Sequence, residues 1–402
     1  MVTLGMIEAA AARLGPFLYR SPLVYSETLS GLTGHSIYLK LENLQMTGSF
    51  KERGALNKIL SLTDAQRRTG VVAASAGNHG QAVAYHAGRR GIPAEIWMPK
   101  HTPLIKHTAT RAHGAEVVLF GANYDEAYAG AVERCRQMGA VLLHAFDDDE
   151  IIVGQGTIGL EMLEQNPALD VIVVPVGGGG LAAGVGCAAK NVNPAVEVIG
   201  VQTAKLPSMQ AALAAHVPIT IPAASTLADG IAVRKAGDRT LPLVEQHVDQ
   251  LLTVDDEEIA TAILVLLERE KTLAEGAGAA GLAAVLHGKL AGSAKKVGIV
   301  ISGGNLDVSL LSRIIERGLV RDGRRLRLNV RLPDHPGALE GLAALIAASR
   351  ANIVETFHNR AHYGVTLSET AIDITMETRG REHVVEIERA LGAAGYEFTR
   401  TE

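Results

Sequence analysis

The segment Lys40-Leu41-Glu42-Asn43-Leu44-Gln45-Met46-Thr47-Gly48-Ser49-Phe50-Lys51 places a lysine directly behind a Gly-Ser turn and an aromatic residue. An apolar, β-rich stretch precedes the turn, and a helix is predicted over 52–60. Most lysines are solvated surface charges, whereas a lysine that reacts as a neutral amine must be partly desolvated and held by a rigid backbone. This setting predicts that Lys51 forms a Schiff base with a carbonyl compound, above all with pyridoxal 5′-phosphate (PLP).

A second motif is a glycine loop that follows the uninterrupted apolar run from Val171 to Val176. Such a run is typical of a parallel strand buried on both faces, and a small-residue helix is predicted behind it. A glycine loop between a strand and a helix presents main-chain N–H groups to an anion. We therefore expect a phosphate site in this loop, at Gly177, Gly178, Gly179, Gly180 and Leu181.

Other interpretations of the loop are weaker. The Gly-Lys-Ser/Thr ending of a Walker A loop is missing, and Pro175 with four glycines argues against a membrane span over 171–189. The dinucleotide fingerprint Gly178-x-Gly180-x-x-Ala183 remains an alternative. It requires an acidic residue at the end of the next strand, and the strand predicted over 197–202 ends in Gln202.

Two more predicted strands end in small polar loops, Ser75-Ala76-Gly77-Asn78-His79-Gly80-Gln81 and Ser302-Gly303-Gly304-Asn305. Alone, the first loop is either a helix-capping turn or an anion site. Ligands of α/β proteins collect at the carboxyl ends of strands. Together with Lys51 and the glycine loop, the first loop therefore predicts a site for a substrate carboxylate, formed by Ser75, Ala76, Asn78 and His79.

In combination, these motifs resemble the fold-type II PLP enzymes, and within them the threonine ammonia-lyase (threonine dehydratase) family. The resemblance covers nearly the whole chain and is also carried by the segments 98–116, 154–157, 226–230 and 275–278. It implies that Lys51 holds PLP as a Schiff base, that Phe50 lies against the ring and that Asn78 contacts the ring hydroxyl. It further implies phosphate contacts from 177–181 and a contact between Ser302 and the pyridine nitrogen.

The implied reaction is the β-elimination of L-threonine to 2-oxobutanoate and ammonia, and also of L-serine to pyruvate, with Lys51 and Ser75 as catalytic residues. The related serine racemases have a second hydroxyl base where this chain has Ala76. Their divalent-metal ligands correspond to Gln202 and Ser208, which are not carboxylates, so we expect no metal there. A non-catalytic amino-acid sensor is the remaining alternative, and the intact set of lysine, asparagine and serine argues against it.

Composition limits the function classes. The formal net charge of -5 argues against nucleic acid or an anionic membrane as partner. The two cysteines, Cys135 and Cys187, have neither disulfide-framework nor zinc-site spacing, which favours a reducing cytoplasm. The N-terminus lacks a basic region followed by a long apolar core, so we expect no signal peptide.

The domain prediction places a PLP-binding catalytic domain at 1–320, with parallel sheets in two lobes and the smaller lobe at about 47–143. The basic, glycine-punctuated stretch 313–325 is interpreted as a solvated linker, of which 321–325 lie between the two predicted domains. Residues 326–402 follow the order βαββαβ, which predicts a ferredoxin-like fold. They contain 8 Arg, no Lys and 11 acidic residues, which disfavours RNA binding.

The C-terminal domain resembles an ACT domain through its Asp-x-Pro-Gly turn at 334–337, Ala351-Asn352-Ile353 and His358-x-Arg360. The resemblance implies an isoleucine or valine effector bound between paired domains of a homodimer or homotetramer. The expected effector contacts are Gly337, Ala338, Asn352 and Ile353. A dimerisation module without a ligand is the alternative.

Overall fold

The computed structural model describes residues 2–292, 294–359 and 368–401. In chain order, its strands are β1 (Leu23–Ser26), β2 (Ser36–Leu41), β3 (Val71–Ala74), β4 (Ala94–Met98), β5 (Glu116–Leu119), β6 (Val141–Leu142), β7 (Val171–Pro175), β8 (Glu197–Thr203), β9 (Gln250–Val254), β10 (Lys296–Ile301), β11 (Arg325–Pro333), β12 (Asn352–Asn359), β13 (Glu369–Glu377) and β14 (Glu397–Arg400). Its α-helices are α1 (Leu4–Leu14), α2 (Glu27–Thr33), α3 (Lys51–Leu60), α4 (Asp64–Thr69), α5 (Asn78–Gly88), α6 (Leu104–Ala112), α7 (Tyr124–Met138), α8 (Asp149–Gln165), α9 (Gly180–Val192), α10 (Ser208–Ala215), α11 (Thr240–His247), α12 (Asp256–Arg269), α13 (Gly276–Leu286), α14 (Val308–Arg321), α15 (Ala338–Ala348) and α16 (Arg381–Ala393).

The chain divides into two compact units, Met1–Leu306 and Asp307–Glu402. The first unit is built on a six-stranded sheet, in the order β1-β2-β10-β7-β8-β9, and a four-stranded sheet, in the order β5-β4-β3-β6. Neighbouring strands of both sheets are parallel, except that β1 runs antiparallel to β2. This arrangement confirms the predicted α/β architecture with two lobes built on parallel sheets.

The apolar stretch 171–189 forms a strand, a loop and a helix. Strand β7 lies between β10 and β8, and all five of its residues are buried. A strand covered on both faces requires apolar residues throughout, which accounts for the uninterrupted run. Among the residues that the structure describes, no helix is both long enough and apolar enough to cross a bilayer.

A buried ionic network anchors helix α3. Arg53 Nη2 lies 2.7 Å from Glu42 Oε1, and Arg53 Nη1 lies 2.6 Å from Glu161 Oε1. Glu161 also pairs with the buried Lys40, whose Nζ lies 2.6 Å from Glu161 Oε2. Removing one partner of such a network leaves an uncompensated buried charge and is strongly destabilising. The network therefore fixes the position of α3 relative to β2 and α8.

The second unit contains α14 and an antiparallel sheet in the order β12-β13-β11-β14. Side chains of β11 alternate between buried and more exposed positions, and the buried ones form a core with apolar residues of α15 and α16. The element order βαββαβ matches the predicted ferredoxin-like fold. Two of its strands are predicted over 352–360 and 366–377, and the limits at Arg360 and Thr366 lie outside the described residues.

The segment predicted as a linker is largely helical. Residues 308–321 form α14, whose first turn is capped by Asp307, since the Asp307 side chain accepts from the N–H of Ser309. The basic residues mask an amphipathic pattern, in which Ile314 and Gly318 are buried. Only 322–324 separate α14 from β11, and the boundary between the compact units precedes α14 rather than following residue 320.

Candidate active site

The predicted ligand-binding loops lie at the carboxyl ends of strands. Ser75 directly follows β3, the glycine loop begins shortly after β7, and Ser302 directly follows β10. Strands β7 and β10 are neighbours in the large sheet. A bridge between Ser49 and Gly303 connects the turn before the lysine to the loop after β10. The fold therefore brings the lysine turn and the Ser302 loop together.

Lys51 is the first residue of α3 and follows a tight turn. Gly48 has a φ of +74°, in the left-handed region that favours glycine. The N–H of Phe50 donates to the main-chain oxygen of Ser302 at 3.0 Å. The backbone that carries the lysine is thus fixed by the turn and by this hydrogen bond.

The amine of Lys51 is desolvated and has a neutral acceptor. Its Nζ donates to the main-chain oxygen of Ala145 at 2.7 Å and lies 5.1 Å from the centroid of the Phe50 ring. Burial lowers the pKa of Lys51 to about 8, although the negative charge of Glu275 opposes this shift. At pH 7 roughly a tenth of the amine is therefore neutral and nucleophilic, against well under a thousandth at the ordinary pKa of 10.5.

Lys40, in the same segment, is also buried but has a different environment. Its Nζ has three acceptors: the main-chain oxygen of Ser21 (2.7 Å), Glu161 Oε2 (2.6 Å) and Gln165 Oε1 (3.1 Å). These acceptors use all three donors of the ammonium group, and the carboxylate compensates its charge. Lys40 is therefore a structural cation, whereas Lys51 Nζ donates to a single carbonyl among the described residues.

The glycine loop bends sharply from β7 into α9. Gly179 has a φ of +99° and precedes α9 without a side-chain cap. A Cβ on Gly178 would lie 2.4 Å from ring atoms of Phe146, so a larger residue does not fit. The first N–H groups of a helix have no acceptor within the helix and lie at the positive end of its dipole. The loop Gly177 to Leu181 therefore fits a phosphate.

The connection between β6 and α8 was not predicted as part of the site. Ala145 provides the acceptor for the lysine, and the next residue, Phe146, packs on the glycine loop. Asp147 accepts hydrogen bonds from the N–H groups of residues 238–240. Since Ala145 acts through its main-chain oxygen, its residue type gives no signal of this role.

His79 is buried and neutral. Burial, reinforced by the nearby positive charge of Lys51, lowers the pKa of His79 to about 3. Its Nε2 lies 2.9 Å from the main-chain oxygen of Leu143, which can only accept, so the ring proton resides on Nε2. The ring is therefore not a cation for a carboxylate, and the main-chain N–H is the group that His79 offers there.

The loop after β3 leads directly into α5. Ser75 Oγ accepts from the N–H of Gly77 at 3.2 Å, and Gly77 precedes the helix without a side-chain cap. The first N–H groups of α5, beginning at Asn78, have no acceptor within the helix. These groups, together with the half-buried Ser75 and Ala76, fit the predicted carboxylate site.

Asn78 is held by two partners that the sequence did not identify. Its Nδ2 donates to Glu275 Oε1 at 2.7 Å, and its Oδ1 accepts from Asn305 Nδ2 at 2.8 Å. Burial and the negative charge of Asp229 raise the pKa of Glu275 to about 7. The segment 275–278 contributes to the family resemblance, but no role was expected for this carboxyl group. The sequence contains one signal of such a role: an acidic residue stands directly before a helix made only of small and apolar residues.

A family model described as "Pyridoxal-phosphate dependent enzyme" matches residues 15–303. The match contains Lys51, the glycine loop and Ser302. The chain therefore belongs to the family of pyridoxal-phosphate dependent enzymes, and PLP is its cofactor. This membership replaces the dinucleotide alternative for the glycine loop.

Within this family, the chain is similar to lyases over its whole length. It is 52% identical to the L-threonine ammonia-lyase of Thermotoga maritima over 397 residues, which cover 99% of both chains. The solved structure of a threonine deaminase from T.th. is 39% identical, covers 76% of this chain and 99% of that chain, and has a TM-score of 0.72. The maize serine racemase structure is 36% identical, covers 80% of this chain and 98% of that chain, and has a TM-score of 0.75.

The residues of the site fit PLP. The amine with a lowered pKa can bond to the aldehyde carbon, and the glycine loop precedes the uncapped start of α9, whose first N–H groups can donate to the phosphate. At the positions that correspond to the metal ligands of serine racemases, this chain has Gln202 and Ser208 in place of carboxylates. Gln202 uses its amide internally, since Oε1 accepts from the N–H of Gln210 at 2.9 Å. In the described part of the chain, no group of three or more His, Cys, Asp or Glu residues is arranged for a metal ion.

The predicted effector residues lie in the second unit. Gly337 directly precedes α15, and Ala338 is its first residue. Asn352 Nδ2 donates to Glu377 Oε2 at 3.2 Å, while Ile353 pairs with Met376 on β13. Helix α15 packs against β12. The uncapped start of α15 is the feature on which an effector site would depend.

Proposed function

We propose that the protein deaminates L-threonine to 2-oxobutanoate and ammonia by β-elimination, and L-serine to pyruvate. The observation that carries this proposal is the buried amine of Lys51, whose pKa is lowered to about 8 and whose acceptor is a neutral carbonyl. The identity of the substrate is inferred from the L-threonine ammonia-lyase of Thermotoga maritima, which is 52% identical to this chain. Family membership supports PLP chemistry in general, and this relative narrows it to the hydroxy amino acids.

When bound, PLP withdraws electrons from the Cα of an amino-acid substrate. With PLP bound, Lys51 Nζ would be the group placed to take the proton from Cα. The carbonyl of Ala145 accepts from the same Nζ and thereby directs the amine. Because burial favours the neutral form, the released amine is able to act as a base near pH 8.

The substrate carboxylate is proposed to lie at the start of α5. The main-chain N–H groups of Ala76, Asn78 and His79 would donate to it, and Ser75 would hold the substrate next to Lys51. The positive end of the α5 dipole favours an anion at this position. Phe50 would cover one face of the cofactor ring.

Ser302 is proposed to face the pyridine nitrogen. A hydroxyl group does not stabilise a protonated nitrogen as strongly as a carboxylate does, so electron withdrawal by the ring is moderated. With PLP bound, moderate withdrawal would favour prompt loss of the β-hydroxyl, which together with the proton taken from Cα amounts to one molecule of water. The product would leave as an enamine and tautomerise to an imine. Hydrolysis of the imine gives the 2-oxo acid and ammonia.

A panel of amino acids tests this proposal. Purified protein loaded with PLP is incubated with L-threonine, L-serine, L-aspartate and L-alanine, and both ammonia and 2-oxo acids are measured. We expect ammonia and 2-oxo acid in equal amounts, with 2-oxobutanoate from L-threonine and pyruvate from L-serine. No product is expected from L-aspartate or L-alanine, which have no β-hydroxyl leaving group. Turnover of none of the hydroxy amino acids would contradict the proposal.

We further propose that the second unit is an ACT-like regulatory domain of a cytoplasmic homodimer or homotetramer. Its ferredoxin-like fold and the uncapped start of α15 support this assignment. An isoleucine or valine carboxylate would bind near Gly337 and Ala338, and Asn352 and Ile353 would contact the remainder of the ligand. The enzyme would then serve isoleucine biosynthesis or threonine catabolism.

A further inference from the structure

The side-chain amide of Asn78 has a hydrogen-bond partner at each end. Its Nδ2 lies 2.7 Å from Glu275 Oε1, and its Oδ1 lies 2.8 Å from Asn305 Nδ2. Glu275 is 197 residues away in the chain and Asn305 is 227 residues away. The site therefore brings two side chains from distant segments to one amide group.

The orientation of the amide follows from a main-chain oxygen. Asn305 Nδ2 donates both to the carbonyl of Thr47, at 2.7 Å, and to Asn78 Oδ1. A carbonyl can only accept, so the NH₂ group of Asn305 must face Thr47. The same NH₂ group also faces Asn78, so the atom of Asn78 that it meets must be the acceptor Oδ1. The other end of the Asn78 amide, Nδ2, therefore faces the carboxyl group of Glu275. Flipping either amide would bring like groups together, so the usual ambiguity of amide orientation is removed.

The glycine after Ser302 packs against the same pair. A Cβ on Gly303 would lie 2.5 Å from Glu275 Oε1 and 3.2 Å from Asn78 Nδ2. The N–H of Glu275 also donates to the main-chain oxygen of Gly303 at 3.0 Å. Glu275 is thus fixed by its own backbone and has little freedom to leave Asn78.

One donor of Asn78 remains. An NH₂ group has two N–H bonds, and one of the two at Asn78 is directed to Glu275. We propose that Glu275 and Asn305 are positioning residues, which hold the Asn78 amide so that its second N–H faces the ring oxygen of PLP. This inference depends on the contact between the Asn78 side chain and the ring hydroxyl that the family resemblance implies. It does not depend on which amino acid is the substrate.

The test measures PLP affinity rather than turnover. PLP is titrated into the cofactor-depleted full-length protein at about pH 9.5, where Lys51 is mainly neutral with or without the charge of Glu275. The dissociation constant is taken from the change in absorbance. Glu275→Ala removes the acceptor. Asn305→Asp keeps the size of the side chain but replaces its NH₂ group with an oxygen. That oxygen cannot donate to the main-chain oxygen of Thr47 or to Asn78 Oδ1. We expect each variant to raise the dissociation constant about tenfold, which corresponds to the loss of one well-placed hydrogen bond.

Matched variants distinguish the effect of positioning the Asn78 amide from the effect of the negative charge of Glu275. Glu275→Gln removes the charge and retains an oxygen that can accept from Asn78, so we expect its dissociation constant to stay within about twofold of the wild-type value. Asn193→Asp is the control for Asn305→Asp. The side-chain oxygen of Asn193 accepts from the N–H of Ala195, and aspartate retains that acceptor, so no change is expected.

A double-mutant comparison with Asn78→Ala decides between positioning and general structural damage. If Glu275 and Asn305 act through Asn78, their variants will have no further effect on PLP affinity in the Asn78→Ala background. Equal losses in both backgrounds would overturn the inference, as would an Asn78→Ala variant with unchanged PLP affinity. Because no amino acid is present in the titration, failure to deaminate threonine would count against the proposed function and leave this result unaffected.

Discussion

Lys51 Nζ lies 2.7 Å from the main-chain oxygen of Ala145, 94 residues further along the chain. A main-chain carbonyl directs an amine without fixing its positive charge. The contrast is Lys40, whose Nζ lies 2.6 Å from a carboxylate oxygen of Glu161. The choice of acceptor thus separates a reactive lysine from a structural one within a dozen residues.

The first prediction concerns Lys51 itself. Lys51→Ala should remove borohydride-stable PLP and lower kcat by at least about 10³-fold, since it deletes both the attachment point and the proposed base. The melting temperature should change little, because the buried ionic network that anchors α3 is intact. Lys190→Ala, which removes a partly exposed lysine paired with Asp249, serves as the control and should keep PLP and activity. Activity near the wild-type level in Lys51→Ala would eliminate the assignment of Lys51.

The second prediction concerns pH. The pKa of Lys51 is lowered from 10.5 to about 8, so the neutral amine becomes the main form above pH 8 in the cofactor-free protein. The rate at which PLP is incorporated should therefore rise with pH and reach half of its maximum near pH 8. Glu275→Gln removes a negative charge that raises the pKa of Lys51, so its midpoint should move to lower pH. Stopped-flow absorbance measures both profiles, and rates that rise only above pH 10 would contradict the lowered pKa.

The sequence predicted those parts of the site that depend on local chain geometry. The lysine turn and the glycine loop each lie next to a strand or helix with a clear pattern, and both occur where predicted. Glu275 could not be placed, because its burial and its bond to Asn78 result from the packing of segments 197 residues apart. Ala145 could not be found at all, since a main-chain oxygen has no sequence signature. The helix α14 was missed because its arginines concealed an apolar stripe.

The third prediction concerns Ser302. Ser302→Asp should favour a protonated pyridine nitrogen, increase long-wavelength absorbance during turnover and lower kcat for L-threonine by about tenfold. Ser302→Thr keeps the hydroxyl group and should preserve the wild-type spectrum, so it is the matched control. Spectra and rates that are identical for Ser302→Asp and the wild type would show that Ser302 does not face the ring nitrogen.

The fourth prediction concerns the stereochemistry at Cα. Ala76 stands where serine racemases are expected to have a hydroxyl base, so the opposite face of the substrate has no proton donor at this position. L-threonine and L-serine should therefore be deaminated with little formation of the D-isomers. Ala76→Ser should increase D-serine formation from L-serine. Chiral chromatography of unreacted substrate at partial conversion measures this, and substantial D-isomer from the wild type would indicate another proton donor.

The fifth prediction concerns the second unit. Because the compact units divide between Leu306 and Asp307, a chain that ends at Leu306 should retain PLP and turnover. It should lose any response to isoleucine, since an effector alters activity only through unequal affinity for two states of the enzyme. A chain that ends at Arg321 is the comparison. This chain keeps α14 but lacks β11, which α14 contacts. Because the apolar Ile314 would then be exposed to solvent, we expect this chain to be less soluble.

Titration of isoleucine against rate in the full-length and shortened chains distinguishes regulation from simple assembly. If the domain is regulatory, isoleucine will inhibit only the full-length enzyme, and valine will oppose it. Substituting the start of α15, as in Gly337→Pro, should weaken this response while kcat without effector stays unchanged, because proline cannot adopt the positive φ of 91° found at this position. If isothermal calorimetry detects no isoleucine binding to the full-length protein and the rate never responds, the second unit is not an amino-acid sensor. A lower oligomeric state of the shortened chain would then identify it as a dimerisation module.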